Sequence, residues 1–199
     1  MTLAATVVAD GKTFANDWST WLYPATIRPQ LSVPVFADEA QSQTLNEWRL
    51  APTPAAGDLD NQAVYVVTWP CDPRVTDAMK RGASVVVLGG GEHLLKSYPI
   101  TFRTTWWQAG DKPESNLSGT FVYDHPVTRS MAPDGWCDGG WFDLLECAAK
   151  FDLETASVRP EVIVRALPSL LLVKDEALPF EVSVEKGLLI VSGLNHVRR

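Results

Sequence analysis

Cysteine is scarce in this chain and so is histidine, with three of each among 199 residues. Cys71, Cys137 and Cys147 show no C-x-x-C spacing, which argues against a disulfide framework and against a zinc ribbon. The histidines are scattered and no carboxylates cluster with them, so neither a metal nor a cofactor is expected. Positive charge is also short, since 17 Lys and Arg against 24 Asp and Glu leave a net charge of -7. Affinity for a phosphate backbone needs clustered cations, so nucleic acid is not an expected partner. Long apolar runs are missing as well. Ala63 to Val67 and Val85 to Leu88 fall far short of the ~20 residues that a bilayer helix requires. Met1-Thr2-Leu3-Ala4 offers no basic, then apolar, leader. No membrane partner is expected, and the few cysteines fit a reducing, cytoplasmic compartment.

What is present is the composition of a globular domain, 46% hydrophobic and 21% charged. At this length one domain over residues 1–199 can bury a core without staples. A strand is expected at Ala4 to Ala9, closed by the Asp10-Gly11 turn, and another at Val33 to Ala37. Between them, Asn16 to Pro29 reads as an aromatic, proline-rich loop. Ala40, Thr44, Leu45 and Trp48 recur at helical spacing. Val64 to Thr68 is a β-branched run of the kind buried on both faces of a parallel sheet. Asp72 and Pro73 then open a helix that ends at Gly82. Val85 to Leu88 is the next strand, followed by Gly89-Gly90-Gly91 and a short helix over Glu92 to Tyr98.

This strand–helix alternation predicts an α/β fold, a doubly wound, mostly parallel sheet with flanking helices of flavodoxin-like or class I amidotransferase-like type. Further on, Thr120 to Tyr123 reads as a strand. Trp141, Leu144, Leu145 and Ala148 mark a helix face, with Glu146 and Lys150 paired four residues apart on the other side. Strands are expected at Glu161 to Ala166, Leu170 to Val173, Phe180 to Val184 and Leu188 to Ser192, the last two forming a C-terminal β-hairpin through Lys186-Gly187. A doubly wound fold would place a covering helix where Asn195 to Arg199 ends the chain, so an artificial boundary or a missing helix is expected there.

Ligand sites in open α/β sheets lie beyond the carboxyl ends of the strands. There the chain offers Gly89-Gly90-Gly91, a turn with neither Cys nor Ser, and Cys71 between Pro70 and Pro73 without the glycines of a nucleophile elbow. Cys71 therefore reads as a packed or loop thiol, with an amidase-like nucleophile as the alternative. His93 beside Glu92 reads as a surface residue, and His125 before Pro126 as a turn residue. The glycine triplet matches no phosphate-loop pattern. No pair of carboxyl groups stands in a recognisable glycosidase context, and no eight-fold barrel fits the length. No catalytic residue is expected.

Three segments carry a family likeness. Asn16-Asp17-Trp18 with Trp21, Tyr23 and Pro24 is one. Gly119-Thr120 through Asp124-His125-Pro126, with Asp134 to Asp138 and Trp141 to Leu145, is the second. Phe180 to Ser192 is the third. In this order they resemble the C-terminal region of a subset of family 2 glycoside hydrolases of the β-galactosidase and β-glucuronidase-like type. The resemblance implies a non-catalytic accessory domain of class I amidotransferase-like fold, structural or interdomain in role, attached to a catalytic barrel outside this chain. Its implied partners are the parent's other domains. A carbohydrate-binding module is the alternative, because sugar rings stack on exposed aromatic faces. Trp18, Trp21, Trp106, Trp107, Trp136 and Trp141 are the candidate sugar- or domain-contact residues.

Overall fold

A computed structural model describes residues 1–19, 30–89, 91–100, 119–132, 134–137, 139–167 and 174–196. The chain divides into two compact units, Met1–Gln30 and Leu31–Arg199.

The first unit is a hairpin of β1 (Thr2–Ala9) and β2 (Lys12–Ser19). Asp10 and Gly11 both have positive φ, 51° and 71°, as the two-residue turn that matches strand twist demands. Asn16 to Ser19 is thus strand, where the sequence suggested loop; its alternation is coded by cross-strand partners, which local aromatic and proline content hides. Leu3 pairs with Trp18, Ala5 with Asn16 and Val7 with Phe14. Directly opposite residues share a face, so Leu3, Ala5, Val7, Phe14 and Trp18 line one side. Asn16 and Lys12 share that side, while Thr2, Ala4, Thr6, Val8, Thr13, Ala15, Asp17 and Ser19 lie on the other. Every strand residue of the hairpin is exposed.

In the second unit, β3 (Val35–Ala37), α1 (Glu39–Glu47), β4 (Thr53–Pro54), β5 (Val64–Val66), α2 (Pro73–Arg81) and β6 (Ser84–Leu88) follow one another. Asp38 caps α1 by accepting from the Gln41 N–H, and Asp72 caps α2 by accepting from the Arg74 N–H. Each side chain satisfies an amide that a helix start leaves without an intrahelical partner. Val75, Ala78 and Met79 form the buried face of α2. The alternation then stops. Glu92 to Leu95 is a turn rather than a helix, and β7 (Ser97–Pro99) leads into a second sheet.

That sheet also holds β8 (Gly119–Val122), β9 (Ala149–Asp152), β11 (Val164–Leu167) and β12 (Glu176–Ala177), in the order β7-β9-β12-β11-β8 and antiparallel throughout. The helix suggested by Trp141 to Ala148 shrinks to α3 (Phe142–Leu145), preceded by a 3-10 turn over Gly139–Trp141. The chain then returns through β10 (Glu161–Val162), β13 (Pro179–Val184) and β14 (Gly187–Ser192). These complete a seven-stranded sheet of order β10-β13-β14-β6-β5-β3-β4. β13 and β14 form the expected hairpin, and β14 lies parallel to β6. The Leu170 to Val173 strand falls outside the described residues.

The expectation of a doubly wound, mostly parallel sheet is therefore corrected. Among the described strands four ladders are parallel. Seven are antiparallel, and three separate sheets are present. A parallel ladder needs a crossover connection; among the described strands after β6 only β14 forms such a ladder, to β6, and the others pair antiparallel.

One core packs α2 against Tyr65, Val85, Val87 and Val191, reaching Phe151 and Phe180. A second gathers Trp141, Leu145, Val164, Ile163 and Leu178. A third joins Leu45 of α1 to Ala37 and Val66. Among the described residues no helix is long and apolar enough to cross a membrane.

Candidate functional site: the strand rim and a polar groove

Two places merit comparison. The first is the carboxyl edge of the parallel strands. Asp38, after β3, accepts from the Gln41 N–H at 2.9 Å through Oδ1 and from the Thr68 N–H at 2.6 Å through Oδ2. One carboxylate thereby ties a helix start to the end of β5. Ser192, the last residue of β14, lies 2.8 Å from His196 Nε2 and accepts the Leu194 N–H at 3.4 Å. Its backbone carbonyl accepts from the Gly89 N–H at 2.9 Å. Burial pushes the His196 imidazole below its ordinary pKa, which favours the neutral ring; the Ser192 hydroxyl donates to Nε2 in the tautomer that carries its proton on Nδ1 and accepts from Nε2 in the other.

In the first tautomer the serine donates to a neutral histidine, which is the first half of a nucleophile–base pair. The second half is missing among the described residues: no carboxylate accepts from His196 Nδ1, and Ser192 is buried. The pair acts as a lock between the end of β14 and the residues after it. Its sequence signal is a serine closing the last buried strand with a histidine four residues on, which the reading above passed over.

The glycine turn has a packing reason. Gly91 has φ of 109°, and a Cβ there would lie 2.7 Å from Val191 Cγ1 and 3.0 Å from Phe151 Cε1. No anion is needed to account for it.

The other expected residues are dispersed. Cys71 and Cys147 are exposed and Cys137 is half-buried. Cys71 has no hydrogen bond to a histidine among the described residues. His93 instead packs edge-on against Trp69, with ring centroids 5.7 Å apart, and its partner Glu92 is 4.0 Å away with both side chains exposed. His125 accepts the Val127 N–H at Nδ1, 3.2 Å, so its proton sits on Nε2 and is donated to Glu181 Oε2 at 3.1 Å. Both ring nitrogens are occupied, and His125 joins β13 to the loop after β8. Its turn role holds, with this added tie.

Among the tryptophans, Trp141 is 1% exposed and its Nε1–H donates to the Met131 carbonyl at 3.3 Å. It is a core residue and is struck from the contact set, since a large aromatic with a polar handle is well used inside when that handle finds a partner. Trp18 and Trp136 are 51% and 68% exposed. Trp21, Trp106 and Trp107 lie outside the described residues.

Lys150 corrects another expectation. It stands on β9 rather than on a helix, and its Nζ donates to Glu176 Oε2 of β12 at 2.7 Å, with the two side chains 1% and 0% exposed. Glu176 is opposite Asp152, which puts it one diagonal step from Lys150 on the same face. Sequence spacing pointed to Glu146 because a partner 26 residues away leaves no local trace. Glu176 Oε1 has no hydrogen-bond partner among the described residues.

The second place is a groove around the segment Ala156 to Pro160. A cavity of about 640 Å³ is lined by Tyr123, Asp124, Arg159, Glu161, Arg165 and Asp175, among others. A cavity of about 240 Å³ adjoins it, sharing Val158, Arg159 and Glu161 and adding Glu181 and Ser183. A third, about 150 Å³, is apolar and shares Ala156 to Val158 and Pro160. Arg165 Nε donates to the Tyr123 hydroxyl at 3.2 Å, and its Nη1 donates to Asp175. Arg129 holds the exposed Asp124 carboxyl below the usual carboxylate range.

The model of a family described as a domain of unknown function, DUF8487, matches residues 66–198. The chain belongs to that family. The match takes in the groove and the Ser192–His196 pair, while the hairpin lies outside it. A search of the curated proteins found no match. Among the described residues no three His, Cys, Asp or Glu side chains gather as metal ligands.

Proposed function

We propose that the chain is a non-catalytic accessory domain, structural or interdomain in role, of a family 2 glycoside hydrolase acting in carbohydrate metabolism. Its partners are the other domains of that parent. The motif order from Asn16 to Ser192 supports the parentage, and one observation carries the interdomain role. The β1–β2 hairpin exposes apolar side chains on both faces, Leu3, Val7, Phe14 and Trp18 on one and Val8 on the other. A lone two-stranded hairpin is marginal in water. Covering Leu3, Val7 and Phe14 with apolar surface contributes on the order of 1.5–3 kcal/mol for each side chain fully buried. A neighbouring domain is the natural source of that surface.

Amide hydrogen exchange tests this. Residues 2–19 should exchange rapidly in the 199-residue chain and be protected in the complete translation product of the gene, which alone should hydrolyse aryl glycosides. Glycosidase activity in this chain, or a gene product with no barrel, contradicts the reading.

A further inference from the structure

We propose that the groove around Ala156 to Pro160 binds a neutral saccharide. The inference does not rest on the hairpin, and it places the contact away from the tryptophans.

The main cavity, about 640 Å³, falls in the range of clefts that take small molecules, roughly 300–1,000 Å³. Its charged lining is mixed. Arg159 and Arg165 stand with Asp124, Glu161 and Asp175. A phosphorylated or carboxylated ligand would meet three carboxylates, and a cation would meet two guanidinium groups. A neutral ligand avoids both penalties. The same residues offer many donors from the arginines and many acceptors from the carboxylates, and a polyhydroxylated ring uses both through each hydroxyl.

Tyr123 adds an apolar ring at the wall. It is 40% exposed and braced edge-on by Phe121, with centroids 4.9 Å apart. A pyranose presents C–H faces that pack on such a ring. Arg165 is already oriented by the Tyr123 hydroxyl and Asp175, so little side-chain freedom is lost when a ligand arrives. Arg159 lines both polar cavities and makes no ion pair among the described residues, which leaves its guanidinium available. The adjoining cavity lets the ligand extend beyond one ring.

Calorimetry with methyl glucoside, maltose, cellobiose and lactose tests this, using the whole chain. Saturable binding with a Kd of about 1 mM or tighter is expected for at least one sugar. Arg159→Ala, an exposed position, should weaken it at least fivefold, and Arg165→Met at least tenfold with unchanged near-ultraviolet dichroism. Trp136→Ala should bind as the parent chain does. No heat or spectral response to any of the four sugars at tens of millimolar overturns the proposal. So does binding that survives Arg159→Ala but is lost in Trp136→Ala, or a preference for glucose 6-phosphate over the neutral sugars.

Discussion

The carboxyl edge of the parallel strands and the groove beside the antiparallel sheet use polar side chains in opposite ways. At the edge, Asp38 satisfies two backbone amides, Ser192 and His196 satisfy each other, and the cap of α2 is closed by Asp72. Among the described residues these polar groups are already paired, and the edge keeps only a cavity of about 140 Å³ beside Trp69. In the groove, Arg165 is fixed yet accessible, and Arg159, Glu161 and Asp124 face solvent. A shared topological position beyond parallel strands is therefore a weak guide to where a ligand sits; whether polar groups are already satisfied is a stronger one.

Four perturbations break or sharpen this contrast. The largest effect is expected at the antiparallel sheet, where the Lys150–Glu176 pair is fully buried. Lys150→Met leaves a buried carboxylate without its partner and should cost about 3–5 kcal/mol in urea unfolding. The double change Lys150→Met with Glu176→Leu should recover most of that loss. A double variant no better than the single one would mean that the pair is needed for more than charge balance.

Next comes Gly187 at the start of β14 in the seven-stranded sheet, where an added Cβ would sit 2.3 Å from the Met79 carbonyl oxygen and 2.4 Å from that of Ala83. Gly187→Ala should cost about 2–3 kcal/mol, because backbone on both sides must shift. Asp38→Ala removes a cap and the Thr68 tie, for about 1–2 kcal/mol of thermal or urea stability. It should leave the groove's sugar affinity unchanged.

The smallest effect concerns pH. His196 is held below its ordinary pKa by burial, so the unfolded chain binds more protons once pH falls below about 6.5. Stability from this group is complete above that value and declines as pH drops through the folded-state pKa. His196→Gln should flatten that part of the stability profile, measured by urea melts across the acid range. An unchanged slope would remove His196 from the account.

These contrasts also explain what the sequence made legible. The helices at Glu39–Glu47 and Pro73–Arg81, the strands β5, β6, β13 and β14 and the two hairpin turns announce themselves by local signals: a capping aspartate, Pro73, Gly82, a β-branched run, Asp10-Gly11 and Lys186-Gly187. The doubly wound reading failed because it carried the Val64 to Leu88 pattern through a stretch where pairing is set by distant partners. Lys150 shows the same limit at one residue, since its spacing from Glu146 mimics a helix pair while its partner stands on β12. The groove was invisible for a related reason. Tyr123, Arg159, Arg165 and Asp175 come from the residue after β8, a loop, β11 and the segment before β12, and no spacing rule joins them. Trp141 was misassigned because side-chain type alone does not say which face it takes.

The measurement that most directly tests the central claim, that this chain works through surfaces rather than through the strand edge, is a map of backbone amide NMR shifts on titration with the tightest-binding neutral sugar. The account expects shifts concentrated at Tyr123, Arg159, Arg165 and Asp175, with Asp38, Thr68, Ser192 and His196 unmoved. Shifts centred on Ser192 and His196 instead would contradict it and return attention to the strand edge as the working site.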